Sequence, residues 1–357
     1  MMKKVLLFFT AAAVLAACSK TEVIPEQNFA EQEITFETSP ITKALADNQK
    51  DFVNTNVFAT YAFYHTDDWV YSTYANNVYT PDYSFYIGGT LNQTTGAREG
   101  VTIKWNGTVW KDPNKSYYWP KNGKLTFFSW SLNKEDLTFP EATTWLTCTP
   151  DQGIVVKNYD VTTNKNIEFM VADIASDKTA NENQYSHTGV PTLFRHKLSQ
   201  FQATVCEAEA YKGIKFTLKS ITFPNLAYLA NYTQNPDAMA AGTAAKEQTY
   251  YSSETGQVVN TTTAAAVTGV DQYIYLPQSL ANKTIVIVYD VAYDTNGDGT
   301  PEVTETVTAT KKLSEIFGDN WKMGNKYILN IKFSVDEILW DPAVEEWATG
   351  SGDVTIK

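Results

Sequence analysis

The chain is short of the residues that carry most enzyme chemistry: three histidines, three cysteines and two arginines in 357 positions. So few cysteines exclude a disulfide-dense scaffold. His65, His187 and His196 form no metal-ligand pair at helical spacing. No Gly-x-Ser-x-Gly elbow precedes a helix, and no glycine-rich loop follows a strand to cradle phosphate. Asp67-Asp68 and Glu345-Glu346 are isolated acidic pairs that read as surface charge. The expectation is a protein that is not an enzyme and holds no cofactor. Positive charge is also scarce. The net charge of −12 lacks the basic patch that nucleic-acid binding needs. Beyond the N-terminal leader there is no long apolar run, and so no second membrane segment.

What is abundant is aromatic. Tyr (21) and Trp (9) help bring aromatics to 13%, against 19% charged residues, a balance that suits a β protein. The leader itself is informative. Lys3 and Lys4 are followed by Val5 to Ala17, apolar apart from Thr10. That run is shorter than the ~20 residues needed to span a bilayer and suits a secretory signal. Leu15-Ala16-Ala17-Cys18 resembles a bacterial lipobox, which makes Cys18 the lipidated first residue of the mature chain. Acyl chains would then hold the protein to a membrane at ~0.8 kcal/mol per buried methylene. The alternative is an ordinary secretory signal with a chance cysteine. Cys148 and Cys206 either pair, which requires Cα atoms within ~7 Å, or remain buried free thiols.

Residues 18–32 are polar and acidic and read as a tether. Glu33 to Glu37 (EITFE) alternates as a first strand, interrupted by Ser39 to Ala44. Val57 to Tyr64 is a second, aromatic strand, and residues 65–100 read as long loops with short strands. Val101–Trp105 and Val109-Trp110 flank Asn106-Gly107, the signal of a two-residue hairpin turn. Leu125 to Trp130 is apolar on both faces and should be central. Ile167 to Asp173 is another short strand. Leu193 to Val205 reads as one long strand, and Ile214 to Phe223 as a half-buried one. Residues 235–268 are Ala/Thr/Ser-rich and weakly patterned. Tyr273 to Leu276, Thr284 to Tyr293, Glu302 to Ala309 and Lys326 to Val335 are strands, with one helical turn at Leu313 to Phe317. The spacing predicts an all-β chain of two antiparallel sandwiches, 33–190 and 191–357.

Asp294, Asn296, Asp298, Gly299 and Glu305 match an EF-hand loop, yet they lie between strands, and Pro301 departs from the pattern. A hairpin turn accounts for the same residues, and no metal is assigned.

Several segments stand out together: the lipobox, Tyr117-Tyr118-Trp119-Pro120 with Leu125-Thr126-Phe127-Phe128, and Phe169 to Ala172. Leu193 to Ser199 (LFRHKLS), Trp321 to Tyr327 and Ile338 to Trp347 complete the set. In these segments and their order the chain resembles the Bacteroidales fimbrillins, the subunits of type V pili. The resemblance implies two tandem transthyretin-like domains, export to the outer membrane as a lipoprotein, and assembly with other pilus subunits. A protease removes the first strand, and a strand from the neighbouring subunit fills the groove. On this chain the matching cleavage bond is Lys43-Ala44, where the family often has arginine; Lys43 as a plain loop lysine stays open. The donor candidate is Thr349 to Lys357, with Val354 and Ile356 as alternate apolar side chains; an ordinary last strand stays open too. The resemblance implies a structural subunit or a tip component of the pilus, serving adhesion, with a host or bacterial surface ligand as its expected partner. The competing reading is a monomeric surface lipoprotein binding glycans through Trp69, Tyr71 and Tyr74.

Overall fold

In a computed structural model of the chain, residues 32–38, 55–140, 144–180, 189–335 and 338–347 are described. Nineteen principal strands carry the fold. They are β1 (Phe36–Glu37), β2 (Phe58–His65), β3 (Val101–Trp105), β4 (Trp110–Lys111), β5 (Lys124–Ser131), β6 (Trp145–Thr149) and β7 (Gly153–Asp160). There follow β8 (Met170–Ala172), β9 (Val190–Pro191), β10 (Phe194–His196), β11 (Ser199–Glu207), β12 (Ile214–Ala227), β13 (Leu229–Gln234) and β14 (Asp237–Ala241). The last are β15 (Ala245–Val259), β16 (Thr284–Tyr293), β17 (Val303–Lys312), β18 (Asn325–Phe333) and β19 (Ile338–Glu346). One short helix, α1 (Leu313–Phe317), follows β17.

The largest sheet runs β9-β1-β4-β3-β2-β5-β8-β10 and faces a second sheet, β6-β7-β13-β14. β2 and β5 read as near-continuous apolar runs because both of their faces are covered. Tyr61, Phe63, Phe128 and Trp130 enter the core shared with the second sheet. Phe58, Ala62, Leu125 and Phe127 enter another core on the opposite face. The hairpin β13-β14 pairs with β7, so the second sheet takes strands from both sides of residue 190.

A further sandwich packs β11-β18-β19 against β15-β12-β16-β17. β18 alternates cleanly and buries Tyr327, Leu329, Ile331 and Phe333 in turn. β11 and β18 run parallel, pairing Phe201 with Tyr327.

Three expectations are corrected here. Leu193 to Val205 is not one strand: it breaks at Lys197-Leu198 into β10 and β11, which belong to different sheets. The 105/110 hairpin has a four-residue loop, since Trp105 pairs with Trp110. There the Asn106 side chain accepts from the Thr108 and Val109 N–H groups, which favours the wider turn. The weakly patterned stretch after residue 235 holds the fifteen-residue strand β15. Its pairing with β12 shifts register three times, and bulges of that kind erase the two-residue period. The 338–347 segment, matched only by resemblance, forms the edge strand β19, where Pro342 is tolerated.

Candidate functional site

Residues 32–38 lie across one end of the large sheet, between β4 and β9. β1 runs antiparallel to β4 and parallel to β9. The side-chain alternation of EITFE aims Ile34 and Phe36 inward, and each is only 3% exposed. They pack among Phe58, Trp110, Trp119, Phe127 and Val190. Phe36 meets Phe58 and Phe127 edge to face, at centroid distances of 5.6 and 5.7 Å. Backbone bonds reach both walls. Ile34 N–H donates to Tyr117 C=O, and Trp119 N–H donates to Gln32 C=O. On the other side Val190 N–H donates to Thr35 C=O and Thr192 N–H to Glu37 C=O. Lys111 Nζ donates to Glu33 Oε1 at 2.7 Å, and that hydrogen bond is the chief reason the Glu33 carboxyl is held below its usual range.

Gly189, just before β9, lies close against the backbone of the first strand. A Cβ built there would lie 2.7 Å from the backbone N and C of Phe36 and the backbone C of Thr35. Nothing in the sequence pattern joins Gly189 to the walls Trp110, Trp119 and Val190. The bounding residues are far apart in the chain, and only the topology joins them.

Cys18, Lys43, Ala44, Val354 and Ile356 lie outside the described residues. The structure does place the described ends of the segments that carry them. β1 leads towards residue 38 beside Thr192. At the other end, Trp347 stacks on His196 at 4.1 Å with rings 5° apart, and its N–H donates to Gly324 C=O. Burial pushes the His196 imidazole down to about 4. Glu168 Oε2 sits 3.7 Å from Nδ1, and burial outweighs it. The rest of LFRHKLS is equally engaged. Arg195 pairs with Asp173, and buried Lys197 pairs with Asp237, to which the Tyr232 hydroxyl also donates.

The glycan-binding aromatics separate. Trp69 stacks on Tyr83 at 4.5 Å, and both Trp69 and Tyr71 pack against the core between the first two sheets. Of the three, only Tyr74 is exposed, at 52%, and it leans on Tyr79. The EF-hand-like residues form the β16–β17 turn. Asp294 accepts from the Gly297 and Gly299 N–H groups, and Asp298 from that of Thr300. Asp294 and Asp298 gather with Glu302, whereas Glu305 pairs in β17 opposite Val291. Cys148 and Cys206 are both buried free thiols.

The groove and the sheet order can be set beside known proteins. The family model described as fimbrillin-like matches residues 42–347. The chain belongs to the fimbrillin-like family. A second model, for a prokaryotic membrane lipoprotein lipid attachment site, matches residues 2–19 of this fimbrillin and takes in Cys18. No curated protein matches it. Among solved structures it is similar to a fimbrial protein from Bacteroides vulgatus, with TM-score 0.61 and 16% identity over 88% of this chain and 99% of that one. It is also similar to a protein from Bacteroides uniformis named for cell adhesion, with TM-score 0.51 and 13% identity over 88% and 98% of the two chains. At these identities the likeness speaks for the fold. Among the described residues, no helix is long and apolar enough to cross a membrane.

Proposed function

We propose that this fimbrillin is a structural subunit of a surface pilus, exported to the outer membrane on a lipid at Cys18 and assembled by strand exchange. Its two sandwich units divide near residue 190, with the β13-β14 hairpin reaching back to the first. Cleavage at Lys43-Ala44 frees the segment that ends with β1. The donor is the tail of another subunit, with Val354 and Ile356 entering the vacated pockets, and the assembled fibre serves adhesion.

The observation that carries this reading is the construction of the first strand. It is held by two apolar side chains and by backbone bonds to two walls. Its removal would expose apolar surface worth about 1.5–3 kcal/mol for each of the two side chains. It would also leave the N–H groups of Trp119, Val190 and Thr192 and the Tyr117 carbonyl without those partners. A replacement strand with the same alternation recovers both terms. The second reading, glycan capture by exposed aromatics, loses Trp69 and Tyr71 to the core.

The test is limited trypsin treatment of the purified mature protein, followed by N-terminal sequencing and sizing. A new N-terminus at Ala44 together with SDS-resistant ladders is the expected result. A persistent monomer after complete cleavage at that bond would remove strand exchange.

A further inference from the structure

We infer that Lys111 and Gly189 decide which strand the groove accepts and in which register, and that the occupant they fit is residues 353–357 of a second copy of the chain. The inference rests on the strand-exchange reading above and adds the selection rule.

Three features of the groove read a strand independently. Lys111 places its ammonium against the residue just before the first inward side chain, where Glu33 now sits. The two apolar pockets lie at alternate positions, those of Ile34 and Phe36. Gly189, just before β9, lies against the strand's backbone at Thr35 and Phe36. Because the atoms it faces are main chain, no rotamer change relieves a side chain at 189. The opposed directions of β4 and β9 relative to β1 fix the strand's polarity. The groove therefore asks for acid, apolar, any extended residue, apolar, in that order.

Residues 353–357 answer that order. Glu33-Ile34-Thr35-Phe36-Glu37 aligns with Asp353-Val354-Thr355-Ile356-Lys357. The acid, the β-branched aliphatic residue, the threonine and the second apolar residue recur in place. The charge reverses at the fifth position, which lies past the pockets at the groove's exit beside Thr192. Asp136-Leu137-Thr138-Phe139 has a similar order, but Leu137 and Phe139 are packed against the core between the first two sheets. In this register Asp353 meets Lys111, Val354 takes the Ile34 pocket and Ile356 the Phe36 pocket. A one-residue slip would turn Val354 and Ile356 away from the pockets. A two-residue slip would leave Lys111 without its acid.

The experiment uses the full mature chain with a site-specific protease sequence in segment 39–44, cut after folding. It is incubated with a fluorescent peptide of residues 349–357, and uptake is read by polarisation. Lys111→Glu should weaken uptake about tenfold, the size of one well-placed charge contact. A peptide carrying Asp353→Lys should restore it, which a merely structural role for Lys111 would not allow. Lys111→Gln, a milder change, should fall between. Gly189→Ala should stop uptake of every peptide while circular dichroism stays native. Uptake insensitive to charge at 111, or no rescue by Asp353→Lys, overturns the selection rule alone. Uptake of a 30–38 peptide but not of 349–357 overturns the occupant. If no peptide enters the cut chain, strand exchange itself fails.

Discussion

β1 and β19 are both outlying strands, and they are held in opposite ways. β1 is two residues long and sits between two neighbours, and Phe36, with Ile34 just before the strand, is buried almost completely. β19 is nine residues long and pairs along its whole length with β18 alone. Most of its side chains face solvent, with Leu339 43% and Val344 44% exposed. The first is held chiefly by what its side chains fill, the second chiefly by its ladder. A strand held by pockets can be replaced by any strand that fills them. A strand held by a nine-residue ladder must be unzipped bond by bond.

The sharpest way to break this comparison is to shorten one side chain on each strand. Phe36→Ala should cost about 4 kcal/mol, the range for a buried aromatic truncated in a close-packed core. Leu339→Ala should stay within about 0.5 kcal/mol. Denaturant unfolding of both variants measures the difference. Equal losses would mean that β1 is not held by its pockets. Accelerated proteolysis in segment 39–44 of the Phe36→Ala protein would sharpen the same point.

The next contrast lies in pH. Trp347, which follows β19, stacks on His196 at the end of β10. Burial holds the imidazole neutral by lowering it from an ordinary value near 6.5 to about 4. A group lowered on folding contributes stability above its unfolded value and loses it as pH falls towards the folded one. At 1.36 kcal/mol per unit, the loss between pH 6.5 and 4 is about 3 kcal/mol. The urea midpoint followed over that window should fall in the wild type and fall less steeply in His196→Gln. Parallel slopes would show that His196 is not what couples this corner to acid. The charged group that the β1 groove holds is the Lys111–Glu33 pair, whose carboxyl lies below its usual range, so the groove's opening should respond only at lower pH.

A third comparison needs no mutation. The amides of Val190 and Thr192 donate to the first strand, whereas β16 is clamped between β12 and β17. Hydrogen exchange at 190 and 192 should be released by local opening of β1. Exchange at Ile285, Ile287 and Val291, buried in the sandwich core, should require global unfolding. Equal protection in both places would join the first strand to the same cooperative unit as the second sandwich.

Much of this contrast could be read from sequence, and the part that could not has physical causes. EITFE announced two inward side chains, LTFFSW a strand covered on both faces, and KYILNIKFSV a clean half-buried ladder. LSEIF gave the helical turn. The groove walls were hidden because Trp110, Trp119, Gly189 and Val190 are brought together only by topology. β15 was hidden because its bulges break the period that identifies strands. Trp69 and Tyr71 looked like surface aromatics because their loop sequence is polar, yet the loop folds them back onto Phe128.

The smallest expected loss, the Leu339→Ala control aside, concerns the turn that joins β16 to β17. Asp294 accepts two backbone N–H groups there, and the turn is exposed. Asp294→Ala should therefore cost about 1 kcal/mol, the net value of a hydrogen bond or two in water-accessible surroundings. The ten paired residues from Thr284 to Tyr293 should hold the ladder regardless. A loss near that of Phe36→Ala would mean that this ladder depends on its turn as β1 depends on its pockets, and the distinction between the two kinds of strand would then fail at its weakest point.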